Sequence, residues 1–262
     1  MITSTQNPKL KLVRGLLGGP KERRETGAFV IEGVRLVEEA VRAEWSMRFV
    51  IYDETLSARG RSQVEGLKSR GVEVEMVSAS LMQLLSETET SQGILAVLSL
   101  TNLPIPNLPT FILIPDQIRD PGNLGTLLRT AAAAGVQAVL IPPETTDPFA
   151  PKVVRAGMGA HFRLPIISLA WEEIRRISDS AKLKVFLADM DGRSCWETDF
   201  RAPLALIVGG EAEGASQEAR KLANQQVRIP MPGGAESLNA AIAGGILIFE
   251  IVRQRTEPRS HP

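Results

Sequence analysis

A single cysteine, Cys195, and two histidines, His161 and His261, are all that the chain holds of these residue types. One thiol cannot close an internal disulfide, and three such side chains cannot assemble a Cys/His cluster, so neither a disulfide framework nor a metal site is expected. Neither histidine reads as chemical: one sits beside Phe162 in a half-buried stretch and the other in the tail RTEPRSHP. Aromatic residues are also scarce, at 5%, which argues against a base-stacking platform for single strands. No apolar run reaches about 18 residues, and the start, MITSTQNPKLKLVRG, lacks the apolar core of a signal peptide. No membrane span is expected, and the cytoplasm is the expected address. Nor does charge of either sign dominate: 30 basic residues balance 30 acidic ones, so global electrostatics neither advertise nor exclude a nucleic-acid partner.

What is present looks globular. Apolar residues make up 44% and charged residues 23%, close to the averages of folded domains, and 262 residues suffice for one domain or two. The charge is unevenly spread: Lys9, Lys11, Arg14, Lys21, Arg23 and Arg24 face Glu22 alone. This basic N-terminal arm is either a solvated helix face or a phosphate-contacting surface. From Ala28 to Leu100 short β-like runs (FVIEG, RFVIY, VEVEMV, ILAVLSL) alternate with helical stretches, which reads as a compact α/β domain occupying, with the arm, residues 1–100. TNLPIPNLPT, residues 101–110, carries three prolines and breaks both periodicities, the pattern of a linker. Over 111–262 the alternation resumes: FILIPD, a polar loop, the helix LGTLLRTAAAAG stopped by Gly135, then AVLIP, PKVVRAG, LPII, WEEIRRISDSA, KVFLAD, LALIVGG, ASQEARKLA, QVRIP and a last helix from Ser237 to about Arg255. Units of this length predict an α/β fold with a mostly parallel sheet, which binds ligands outside the carboxyl ends of its strands.

Three strand-to-loop transitions are expected to share one such edge: 116–135, 207–216 and 229–250. The second turns at Gly209 and Gly210 into a helix, a geometry that presents backbone N–H groups to a ligand. It is not a nucleotide phosphate loop, because Gly214 is followed by Ala215 and Ser216 instead of Lys and Ser/Thr. No G-x-G-x-x-G occurs, so ordinary dinucleotide binding is not expected. In the third, Ser237 has the chemistry of an N-cap, and the small residues Ala240, Ala241, Ala243, Gly244 and Gly245 predict a close helix contact.

Taken together, these segments resemble the signature motifs of the SpoU/TrmH RNA methyltransferases. Pro121, Asn123, Gly125 and Arg129 match the first; Gly209, Glu211 and Gly214 the second; Ile229, Pro230, Met231, Gly233, Ser237, Leu238 and Asn239 the third. Between the first two, PKVVRAGMGAHFRLPI is similar to the family's connection, with Gly157 in place of a serine, so no role is carried over to that position. GAFVIEGVRLVEEAV and SQGILAVLSL resemble the start and end of an RNA-binding domain with a fold similar to ribosomal protein L30e. The resemblance implies a trefoil knot in the second domain and S-adenosylmethionine held by Gly209, Gly210, Glu211, Gly214, Ile229, Met231, Ser237, Leu238 and Asn239. It implies a ribose 2'-hydroxyl as methyl acceptor, ribosomal RNA ahead of transfer RNA as partner, and a homodimer formed through the knotted domain. Arg129 would pair with an RNA phosphate and stabilise the developing alkoxide, since an arginine is too weak an acid to serve as a plain base. Asn123 and Asn239 would orient ribose and loop, and Glu211 would brace Arg129 or the cofactor loop. A base nitrogen as acceptor, and a non-catalytic RNA-binding protein, are the competing readings.

Overall fold

The computed structural model describes residues 1–86, 91–210, 214–234 and 236–256, and the chain divides into two compact units, Met1–Thr101 with Phe149–Phe162, and Asn102–Pro148 with Arg163–Pro262. In the first unit, Asn7 accepts a hydrogen bond from the Lys9 amide and Pro8 takes the first helical position, which starts α1 at Pro8–Gly18. α2, Pro20–Thr26, ends at Gly27 in the left-handed conformation. There follow β1 (Ala28–Glu32), α3 (Val34–Arg42), β2 (Met47–Tyr52), α4 (Ala58–Ser69), β3 (Val74–Met76), α5 (Ala79–Leu85) and β4 (Ile94–Ser99). The sheet runs β1-β4-β2-β3, with β4 antiparallel to both neighbours and β3 parallel to β2.

The basic segment is no free arm. Leu10, Val13 and Leu16 recur at helical spacing on α1 and are buried in one cluster with Val30, Phe49, Ile51 and Met82. Three of its six cations are used internally: Lys9 bridges Glu73 at 2.5 Å and Glu75 at 2.9 Å, and buried Arg23 donates to the Leu16 carbonyl. Arg14 caps the Thr5 carbonyl, which leaves the positive surface narrower than the composition suggests.

A second departure from the linear reading concerns residues 149–162, which belong with the first unit. The reason is aromatic: the Phe149 ring packs on Phe29 at 5.0 Å and on His161 at 5.4 Å, and Phe162 packs on Trp45 at 5.4 Å. His161 is therefore buried, not half-buried.

In the second unit β5 (Phe111–Asp116) leads to α6 (Pro121–Ala133) and β6 (Ala138–Ile141). After α7 (Pro151–Gly157), which lies in the first unit, come β7 (Ile166–Ser168), α8 (Trp171–Ser180), β8 (Lys184–Ser194), β9 (Leu204–Gly209), α9 (Gln217–Leu222), β10 (Gln225–Arg228) and α10 (Ala240–Thr256). The sheet order is β10-β8-β9-β5-β6-β7, and every pair is parallel. The strands β5, β6 and β9 are buried almost without alternation, as two-sided coverage requires.

Two helix starts differ from expectation. α6 begins at Pro121, not Leu124, because Asp120 accepts from the Asn123 amide at 2.8 Å; this moves Pro121 and Asn123 from the loop into the first turn. α10 begins at Ala240, and its cap is Asn239 instead of Ser237: Asn239 Oδ1 accepts from the amides of Ala241 and Ile242. The expected close helix contact is present, since a Cβ on Gly244 would stand 2.4 Å from Leu127 Cδ2. Cys195 is buried, and burial pushes its thiol up to about 11, so it is no ready nucleophile.

Candidate functional site

The site grows from the paired carboxyl ends of β5 and β9, where Asp116 stands opposite Gly209. Past this pair the chain turns so tightly that side chains are excluded. A Cβ on Gly209 would meet Ala215 N at 2.9 Å, and one on Gly210 would meet the Gln117 carbonyl oxygen at 2.4 Å. The double glycine is thus demanded by the chain's own path, whatever else its amides contact. Gly214 closes the turn with φ +69° and bridges back to Gly210.

Asp116, which carries no motif signal by itself, anchors this loop. Its Oδ2 accepts from the Ser216 amide at 2.6 Å, while the Ser216 hydroxyl accepts from Ala219 N and caps α9. Among the described residues the other oxygen of Asp116 is buried with no hydrogen-bond partner, and burial raises the carboxyl above its ordinary range. The sequence places Asp116 at a strand end, but its partner lies 100 residues away.

Beside the loop opens a cavity of about 560 Å³. Gly209, Gly210, Gly214, Ile229, Met231, Ser237, Leu238 and Asn239, all named from the sequence as cofactor-binding, line it; Glu211 lies outside the described residues. Val208, Ile229, Met231, Leu238 and Leu247 form an apolar wall. The sequence reading missed one edge of the cavity: Asp189, at the carboxyl half of β8, and Arg220, on α9, form an ion pair of 2.6 Å. No motif marks either residue, because the pairing depends on β9 being inserted between β8 and β5.

The two asparagines meet. Asn239 spends its Oδ1 on the first amides of α10, so its Nδ2 is the group turned to Asn123, whose Oδ1 accepts at 3.0 Å. This bond ties the first turn of α6 to the cap of α10 across 116 residues. Arg129 is not brought into the cavity. It lies on the exposed face of α6 and, among the described residues, makes no hydrogen bond or ion pair. Six residues beyond Asn123, it stands roughly 9 Å further along the helix and about 120° round it.

Residues 110–249 match the SpoU rRNA methylase family and residues 7–96 the MRM3-like substrate binding domain. The 23S rRNA (guanosine(2553)-2'-O)-methyltransferase RlmP of Bacillus subtilis is 35% identical over 95% of this chain and 98% of its own. The 23S rRNA (uridine(2479)-2'-O)-methyltransferase of Streptomyces viridochromogenes is 29% identical over 98% of this chain and 93% of its own. Among solved structures, the AdoMet-bound rRNA methyltransferase of Sinorhizobium meliloti superposes with a TM-score of 0.85 at 32% identity, covering 98% of both chains. The chain belongs to the SpoU rRNA methylase family.

Proposed function

We propose that the protein methylates a ribose 2'-hydroxyl of ribosomal RNA with S-adenosylmethionine as methyl donor, working in the cytoplasm as a homodimer. The observation that carries this is the convergence of eight motif residues on one cavity at the carboxyl edge of a parallel sheet. About 560 Å³ lies within the roughly 300–1,000 Å³ of small-molecule sites, and an apolar wall beside a glycine turn suits an adenine edge and a polar tail. The Sinorhizobium structure holds AdoMet. The two relatives act on a guanosine and a uridine, different bases on a common ribose, which favours the 2'-hydroxyl over a base nitrogen for this chain too.

The bound cofactor supplies an electrophilic methyl group; orientation falls to the protein. Asn239, held by α10 and by Asn123, sits at the cavity rim and orients the ribose and the loop before α10. Arg129 offers an exposed planar guanidinium to an RNA phosphate and stabilises the charge that develops as the hydroxyl is deprotonated. In this reading Glu211 braces the cofactor loop or Arg129, and the trefoil knot is the path that brings Ile229, Met231 and Asn239 to the same cavity as Gly209, Gly210 and Gly214. The dimer forms through α10, where Ile242 (55% exposed) and Phe249 (50%) stand seven residues apart on one face.

The test is transfer from labelled S-adenosylmethionine to ribosomal and transfer RNA, with nucleosides identified by mass after digestion. Label on ribose in the ribosomal fraction is expected; label on transfer RNA or on a base overturns the substrate or the acceptor. Arg129→Lys should lower turnover on the order of a hundredfold while cofactor affinity holds. Unchanged turnover would remove Arg129 from the site.

A further inference from the structure

We propose that Arg220, held in place by Asp189, is the residue that takes the carboxylate of the cofactor's amino-acid end. The proposal rests on the reading of the cavity as an S-adenosylmethionine site and names the part of the ligand that each end of it receives.

Charged side chains line the cavity in only three places among the described residues: Asp189, Arg220 and Arg228. S-adenosylmethionine carries two cationic groups, the sulfonium and the ammonium, and one anionic group, the carboxylate. A guanidinium facing this ligand repels the first two, so the carboxylate is the group it can accept. A carboxylate also matches the planar donor fork of arginine, two parallel N–H bonds to two oxygens.

Of the two arginines, Arg220 is the one built into the wall. Asp189 is only 12% exposed and uses both oxygens: Oδ2 accepts from Arg220 Nη1 at 2.6 Å, and Oδ1 accepts from the Asp191 amide at 3.1 Å. Both oxygens of Asp189 are thus engaged by the protein, and it serves as a positioning residue. It engages one guanidinium nitrogen of Arg220 and, among the described residues, leaves Nε and Nη2 without a protein partner. Nη2 lies 3.8 Å from where a Gly214 side chain would begin, so the fork lies beside Gly214, which has no side chain of its own. Arg220 remains 45% exposed, open to a ligand. Anchoring matters because an arginine already held by an acid loses less side-chain freedom when a ligand binds. Arg228 is exposed at the end of β10 and, among the described residues, has no such anchor.

The experiment compares two ligands by calorimetry on the full-length protein: S-adenosylhomocysteine, which has the amino-acid end, and 5'-methylthioadenosine, which has the same nucleoside and thioether without it. The unmodified protein should prefer S-adenosylhomocysteine. Arg220→Ala should weaken that ligand roughly tenfold to a hundredfold, the scale of one charge-assisted contact, and shift 5'-methylthioadenosine less than about twofold. Arg220→Lys, which keeps the charge without the fork, should fall between. Asp189→Asn should lose affinity for S-adenosylhomocysteine alone. Equal weakening of both ligands in Arg220→Ala, or loss of both, assigns Arg220 a structural role and overturns the proposal, as does an unchanged preference. If the unmodified protein binds neither ligand, it is the cofactor reading of the cavity that fails.

Discussion

At the scale of single residues, the site depends on groups whose chemistry is set by what lies far away in sequence. Asp116 is fully buried with one oxygen on the Ser216 amide and the other, among the described residues, unpartnered. Desolvation raises its folded pKa, so folding favours the protonated form. The stabilisation this gives is complete at pH below the ordinary carboxyl range, near about 4, and is lost as pH rises through the raised folded value. Asp116→Asn keeps an acceptor for Ser216 with no charge to desolvate. Its stability relative to the unmodified protein should therefore rise as pH goes from about 4 to 7. Urea midpoints across that range check this, and a flat difference would mean the carboxylate is better solvated than its burial implies. Asp116 stood at an expected strand end, but nothing in the residues around it announced its role; Asn123 and Asn239 were legible because they stand in motifs of fixed spacing.

At the scale of elements, packing of α10 on α6 explains why two adjacent glycines are not equivalent. A methyl on Gly244 would stand 2.4 Å from Leu127 Cδ2, and Leu127 is itself fully buried, so the clash has little room to relax. At Gly245 the nearest group is Thr130 Cγ2 at 3.8 Å, an ordinary contact. Replacing glycine by alanine inside a helix gains about 1 kcal/mol of helix propensity, whereas overpacking costs about 1–3 kcal/mol. Gly244→Ala should therefore be destabilising by up to about 2 kcal/mol and Gly245→Ala stabilising by up to about 1 kcal/mol, as thermal or urea unfolding would show. The same sign for both would contradict the close approach at Gly244. From sequence the small-residue run announced a tight contact, but all five small residues shared that signal. Only the neighbouring helix singles out Gly244. Likewise the starts of α6 and α10 were misplaced by three residues each, since caps compete locally and the packed structure selected Asp120 and Asn239.

At the scale of the whole molecule, chain order and spatial grouping part company at residues 149–162. Phe162 is buried against Trp45 in the first unit although it follows β6 of the second. Phe162→Ala should cost about 3–5 kcal/mol, and the loss should appear as reduced amide-exchange protection in β1 and α3 but not in β9. Loss confined to β9 would return the segment to the second unit. The sequence alone determined the alternation of strands and helices, the parallel character of the second sheet and the motifs that gather at its carboxyl edge, because periodicity, turn chemistry and motif spacing are properties of near neighbours. Only the tertiary structure decided that Arg220 meets Asp189 and that the basic segment folds into a core. It also decided that 149–162 joins the first unit. Each of these depends on which strands become adjacent and which apolar faces find each other, and no local pattern encodes that choice.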